Sequence, residues 1–346
     1  MLGCGKCVGD SNLKNDEINW LIKAASALGI MCLMLPAFGA LEHLPDEQAM
    51  PSEQREILEQ DAAKQYMLKL INRDRASVGA SPVVLDDVAS KAGQVHSDEM
   101  AMNGYMSHWT MDGHKPDQRY NESGGKDSVM ENVYGSMEGS ASDNSKEANK
   151  LPLHPAQVFH KYELDKIESS FFNEKPPNDG HRVNIIDPNH TSVGIGLSFA
   201  SAVGMGVRTA CAEEFSNHYG EYGDIPAQIK LGDKFSLTGK LAKGVDLKSI
   251  DLRWEALPKP MTVAALNKTS GYSMPDKIVI SYFADPSQTN DPINVKKVDE
   301  QEVYSLDIAT DKDWQPGLYY ITTWAVNKGS EEAVISCRTI ELLPKN

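Results

Sequence analysis

Residues 52–78, "SEQREILEQDAAKQYMLKLINRDRASV", place Leu58, Ala62, Tyr66, Leu70 and Ile71 at helical spacing behind Ser52 as N-cap, and predict a first helix that ends at Gly79. "SPVVLDD" is an extended step. "DDVASKAGQVHSDEMAMNGY" predicts a second helix with Val88, Ala92, Val95 and Met100 on its inner face, closed by Gly104. Residues 135–150 are rich in Gly, Ser and Asn and read as a flexible surface loop. A third helix follows Pro155 in "HPAQVFHKYELDKIESSFF", then the turn "NEKPPNDG", then two apolar strands, "SVGIGLSFA" and "VGMGVRTACAEEF".

After residue 220 the period changes. "FSLTG", "IDLRW", "MTVAALN", "KIVISYF", "VYSLDIA", "GLYYITTWAV" and "AVISCRTIEL" are short β-rich runs separated by turn residues. Seven such strands predict an all-β, immunoglobulin-like sandwich over residues 221–346. Residues 41–220 form the preceding unit. Residues 1–40 are set apart: Lys23, the apolar "AASALGIMCLML" and the small residues of "PAFGA" follow the order of a secretory signal peptide, with an uncleaved N-terminal anchor as the alternative. The expectation is a secreted or extracytoplasmic protein of the cell envelope or periplasm.

The net charge of −15 and pI of about 5.1 disfavour binding to a phosphate backbone, so no nucleic-acid partner is expected. Of five cysteines, Cys4 and Cys7 form a lone CxxC without the second pair of a zinc cage, and Cys32 lies in the apolar run. Cys211 and Cys337 are either a disulfide or two buried thiols. There is no HExxH, no GxSxG, no phosphate loop and no GxGxxG after a strand.

Four stretches stand in order: "LINRDRASVGASPVVLDDVASKAGQVHSDEMAMNGYMSH", "DGHKPDQR", "ENVYGS" and "DGHRVNIIDPNHTSVGIGL". Asn72, Arg75, Gly79, Pro82, the helix with His96, "GYMSH", the "EN" pair, "GHR" and "VGIG" together resemble the CAP superfamily (SCP-like; cysteine-rich secretory protein, antigen 5 and pathogenesis-related 1), bacterial branch, over residues 55–220. The resemblance implies an α+β chain whose first unit is an α-β-α sandwich. It also implies a cleft lined by two histidines and two acids: His108, Glu131, His181 and a second acid on the helix before "GHR". Glu163 is taken for that acid, with Glu168 and Glu174 as alternatives: Glu163 and Glu168 follow His160 and Asp165 at the third place upstream, and Glu174 follows Phe171 but stands past the predicted helix.

Two neutral imidazoles, His108 and His181, can ligate a cation such as Zn2+ weakly, with a carboxylate to orient a ligand. The implied function is binding, of a metal ion and of a lipid, sterol-like or peptide ligand, while the β-sandwich would engage a cell-envelope or protein partner. A metal-dependent hydrolase or peptidase using the same side chains is the alternative. His114, His154 and His160 read as surface residues, His96 as a helix-packing histidine, Arg119 and Arg182 as structural donors, and Asn132 as a backbone anchor beside Glu131.

Overall fold

The computed structural model describes residues 51–138 and 150–345, apart from 204, 312 and 328. The signal-peptide reading, and residues 139–149 of the 135–150 loop reading, lie outside them. Residues 135–138 belong to a strand.

The first unit runs β1 (Ile57–Glu59), α1 (Gln60–Ser77), β2 (Val84–Leu85), α2 (Asp87–Asn103), α3 (Pro116–Glu122), β3 (Val129–Glu138), β4 (Val158–His160), α4 (Lys161–Phe172), α5 (Gly180–Ile186), β5 (Ser192–Ala202) and β6 (Gly206–Ser216). Its main sheet has the order β2-β5-β6-β3, with β3 on an edge. Alternation along the strands divides the sheet into two faces. Val193, Ile195, Leu197, Cys211 and Phe215 pack with Met67, Ile71, Leu164, Ile167 and Phe171 of α1 and α4. Ala200, Ala210 and Ala212 pack on the opposite face with Met100 and Ala101 of α2. The result is the three-layer α-β-α arrangement that the resemblance implies.

The α2–sheet contact is set by small residues. A Cβ on Gly194 would lie 2.1 Å from the carbonyl carbon of Ala89, and one on Gly196 would lie 2.2 Å from backbone atoms of Gly93. This close approach corrects the inner face expected for α2. Val88 and Val95 are exposed (37% and 57%), and Ala89, Ala92, Gly93, His96 and Ser97 turn inward. Valines do not fit a helix lying this near a sheet. Asp86 caps α2 by accepting from Val88 N and Ala89 N, and Gly104 ends it at φ +73°. The first and third helices start later than expected, because Ile57–Glu59 and Val158–His160 pair as an antiparallel ribbon instead.

The second unit contains β7 (Gly220–Tyr222), β8 (Gln228–Lys230), β9 (Lys234–Leu241), β10 (Val245–Glu255), α6 (Val263–Leu266), β11 (Ile278–Phe283), β12 (Asn294–Val298), β13 (Gln301–Ala309), β14 (Gly317–Asn327) and β15 (Glu332–Leu343). Two sheets, β11-β10-β14-β15-β8 and β12-β13-β9-β7, share one apolar core that includes Phe235, Leu237, Ile250, Leu252, Tyr304, Ile308, Tyr319 and Ile321. "MTVAALN" is not a strand. It belongs to residues 256–277, which leave the sheet after β10, form α6 and return to β11. Leu266, at the end of α6, is fully buried among Met100, Tyr105 and Val133 of the first unit.

Elsewhere the units meet along β15. Asn121 donates to Cys337 O (3.0 Å) and accepts from Thr339 N (2.7 Å). Ser128 N donates to Ile335 O (3.2 Å), and Cys337 N donates to Asp127 O (3.3 Å). The part of β15 not paired with β8 is thereby covered, as an edge strand requires. Cys211 and Cys337 are separate buried thiols.

Candidate functional site

The site forms around the edge strand β3, whose register with β6 sets Glu131 opposite Glu214 and Asn132 opposite Glu213. Adjacent residues on a strand face opposite ways. One carboxyl pair therefore lies on the α2 face and a second acid, with Asn132, on the α1/α4 face.

On the α2 face, Glu131 is fully engaged. One oxygen takes Arg119 Nη2, and the other meets His108 Nδ1 at 2.8 Å. Arg119 Nη1 also donates to the carbonyls of His108 (2.7 Å) and His114 (3.2 Å), which fixes the "GYMSH" loop. His96 donates from Nε2 to Ser107 O (2.7 Å) and lies 3.8 Å from Glu131. Burial pushes the Glu131 carboxyl up to about 7 against the pull of Arg119. Burial and the neighbouring Glu131 carboxyl push Glu214 well above the usual range, with Arg119 at 3.5 Å opposing. Burial, with His181 and Arg119 nearby, keeps the His108 imidazole neutral well below 6.5.

On the other face, His181 opens α5. Its Nδ1 lies 2.6 Å from Glu174 Oε1, and its backbone N–H donates to Glu174 Oε2 at 2.9 Å. Its ring rests on Phe171, with centroids 4.7 Å apart. Asn132 donates to His181 O (3.3 Å) and to Glu213 (3.1 Å), and accepts from Asn184 (2.9 Å). Glu213 and Glu168 form a second carboxyl pair: burial raises Glu213 to about 7, and burial plus Glu213 and Asp74 raise Glu168 well above the usual range. Two facing carboxyls in a dry interior cannot both ionise, so the pair holds a proton.

Each cleft histidine thus has Nδ1 on a carboxylate. With Nδ1–H donating, each keeps an Nε2 lone pair, and that of His181 is buried without a protein partner. This is the tautomer of metal-ligating histidines. Among the described residues no set of three His, Cys, Asp or Glu side chains is gathered to hold a metal. Among the described residues, these two imidazoles are the donors that the site offers.

Glu163 is placed elsewhere, which corrects the choice of second acid. It lies in the first turn of α4 and folds back to accept from His160 N at 2.9 Å, as a capping carboxylate does. Glu174, beyond the end of α4, is the acid on His181. Arg182 donates to Phe172 O (2.9 Å), and His114 pairs with Glu122 (3.1 Å) on the surface.

Sequence reasoning passes over Glu213, Glu214 and Tyr272. The first two carried a signal, since consecutive acids inside the apolar run "TACAEEF" must find buried partners on both sheet faces. Tyr272 carried none. It comes from the 256–277 connection, its ring 4.8 Å from that of His108, and its hydroxyl accepts the outward N–H of Glu131 at 3.0 Å.

A family model, the cysteine-rich secretory protein (CAP) family, matches residues 68–212. No curated protein matches the chain. Among solved structures it is similar to an extracellular protein containing an SCP domain from Bacillus anthracis, at 17% identity and TM-score 0.32, over 45% of this chain and 41% of that one. It is also similar to an outer surface protein of Borrelia burgdorferi, at 12% identity and TM-score 0.33, over 46% of this chain and 98% of that one. A Niemann-Pick type C2 protein from the Japanese carpenter ant matches at 14% identity and TM-score 0.18, over 36% of this chain and 94% of that one. Among the described residues no helix is long and apolar enough to cross a membrane.

Proposed function

We propose, from the premise that residues 68–212 are a CAP domain, that this protein is a secreted binding protein and not an enzyme. Its cleft binds a divalent cation such as zinc weakly through His108 and His181, beside a site for an organic ligand. The observation that carries the reading is the commitment of Glu131: both of its oxygens are held, by Arg119 and by His108, so neither is left to activate a water. A two-imidazole cation site is weak, because structural and catalytic zinc sites take three or four protein ligands. Bound zinc would supply Lewis acidity. His108 and His181 would hold it, oriented by Glu131 and Glu174.

The second reading is a metal-dependent hydrolase. It is favoured by the Glu131 carboxyl at about 7, a suitable value for an acid working near neutral pH. The second unit is read as an immunoglobulin-like module for a cell-envelope or protein partner, a reading supported by its two mainly antiparallel sheets over one core. Of a lipid, a sterol-like molecule and a peptide, a peptide suits the cleft best, because its floor offers the backbone N–H of an edge strand.

Zinc titration calorimetry on the wild type, His108→Ala and His181→Ala tests the cation site: both variants are expected to lose binding, and binding kept in the double variant overturns it. Turnover of peptide, ester or glycan substrates that is lost in both His108→Ala and Glu131→Gln, with the fold kept, would establish the hydrolase instead.

A further inference from the structure

We infer that the cleft is a receptor for a tyrosine-bearing peptide, filled in the described state by residues 256–277 of the same chain, and that it accepts an equivalent segment from another polypeptide. This rests on the reading of the protein as a binder and names the class of its ligand.

The connection between β10 and β11 is far longer than the few residues that usually join strands, and connections of this length are usually functional. It crosses to the first unit and follows the loop that carries His108. Met261 N donates to Met111 O (2.7 Å). Asn267 accepts from Met106 N (3.0 Å) and donates to Gly104 O (3.4 Å). Thr269 Oγ1 meets Ser107 Oγ at 2.8 Å. Two anchors accompany this polar ladder, one within it and one beyond its end. Leu266 is buried among Met100, Tyr105 and Val133, and Tyr272 lies on His108 with its hydroxyl on Glu131 N.

A main-chain hydrogen bond, polar side chains that pair with the receptor's backbone, and buried anchors are together how a peptide segment is held on a protein surface. A tyrosine suits this place on two counts. Its ring covers a neutral imidazole, and its hydroxyl satisfies an edge N–H that would otherwise lie in the cleft without a protein partner. The recognition element is an apolar residue, an adjoining asparagine, and a tyrosine six positions after the apolar one, as in Leu266, Asn267 and Tyr272. The tether makes the resident segment a strong competitor, since a linked segment acts at an effective concentration on the order of millimolar. A free peptide enters when the arm is displaced.

The test uses the full chain with residues 262–272 replaced by a Gly/Ser linker of equal length, its folding checked by circular dichroism. The probe is a fluorescent synthetic peptide of residues 261–274. The open variant is expected to bind it saturably, and the wild type at least about 100-fold more weakly because its cleft is filled. A peptide with alanine at the tyrosine position should bind the open variant about 10-fold or more weakly. A folded open variant that ignores the peptide, or equal binding by wild type and variant, overturns the inference. If the linker variant does not fold, Leu266→Ala/Asn267→Ala/Tyr272→Ala, which removes both anchors and the asparagine and keeps the connection, takes its place: preference for the tyrosine peptide over the alanine peptide supports the inference, and no binding overturns it. Zinc binding is read separately, so peptide binding without zinc binding would sink the cation site alone.

Discussion

Glu213→Gln should make the protein's stability less sensitive to pH. Glu213 is fully buried, faces Glu168, and accepts from Asn132 at 3.1 Å. Folding raises its carboxyl from an ordinary 4.5 to about 7. An acid raised in the folded state binds its proton more tightly there than in the unfolded chain. Below about 4.5 both states hold the proton and nothing is lost. Between about 4.5 and 7 the unfolded chain releases it while the folded chain keeps it, so stability falls as pH rises. At about 1.4 kcal/mol per unit, that window is worth about 3 kcal/mol. A glutamine keeps an oxygen for Asn132 and offers an N–H to Glu168 without needing a proton. The variant should therefore gain on the wild type by up to about 3 kcal/mol between pH 4.5 and 7.5. The Glu131 contribution is common to both proteins and cancels in the difference, whereas Glu168, raised in part by Glu213, is raised less in the variant and adds to the difference in the same direction. Urea denaturation followed by circular dichroism at four pH values in that range gives the difference directly. Parallel stability curves for the two proteins would refute the argument, because they would mean that Glu213 binds its proton no more tightly folded than unfolded.

Other outcomes follow from the packing and the site. Gly194→Ala puts a methyl 2.1 Å from the α2 backbone and should destabilise by about 3 kcal/mol or more, read as a lowered urea midpoint, because backbone cannot rotate aside as a side chain can. Asn121→Ala removes contacts to Cys337 O and Thr339 N between the units and should cost about 1–3 kcal/mol, with faster amide exchange along residues 335–339. Zinc affinity measured by calorimetry should survive acidification below pH 6.5 as far as His108 limits it, because burial holds that imidazole neutral well below its ordinary range; NMR titration of the His108 ring checks the order of events.

The α-β-α unit is legible in the chain because its signals are local. Leu70 and Ile71 hold the helical period and are buried, "SVGIGLSFA" is a continuous apolar run as a strand covered on both faces must be, and Gly104 stops α2 where a left-handed residue is needed. The inner face of α2 is misread because hydrophobicity ranks Val88 and Val95 above Gly93 and Ser97, whereas the glycine-lined sheet admits only the smaller set. His108, Glu131 and His181 are marked by motifs, and hydrogen bonds join His108 to Glu131 and the main chain of His181 to the neighbouring Asn132. Glu174, not Glu163, lies on His181: the Phe171-x-x-Glu174 spacing marked it, but its place past the helix hid it, and helical position does not show that Glu163 turns back on the helix start. The β-branched Thr262 and Val263 in the apolar "MTVAALN" suggest a strand, but the segment is drawn onto the first unit by Leu266, a tertiary contact that no window of sequence contains.

The carboxyl pairs on the two faces of β6 also bear on how the molecule behaves in an electric field. Burial and the facing acid favour the protonated forms of Glu168 and Glu214, and burial raises Glu131 and Glu213 to about 7. The folded protein should then migrate as though it carried fewer negative charges than the −15 counted from its composition. Unfolding releases those protons into the buffer. An unbuffered solution at pH 7 should acidify as the chain melts, so a pH electrode would register the opening of this sheet without any optical label.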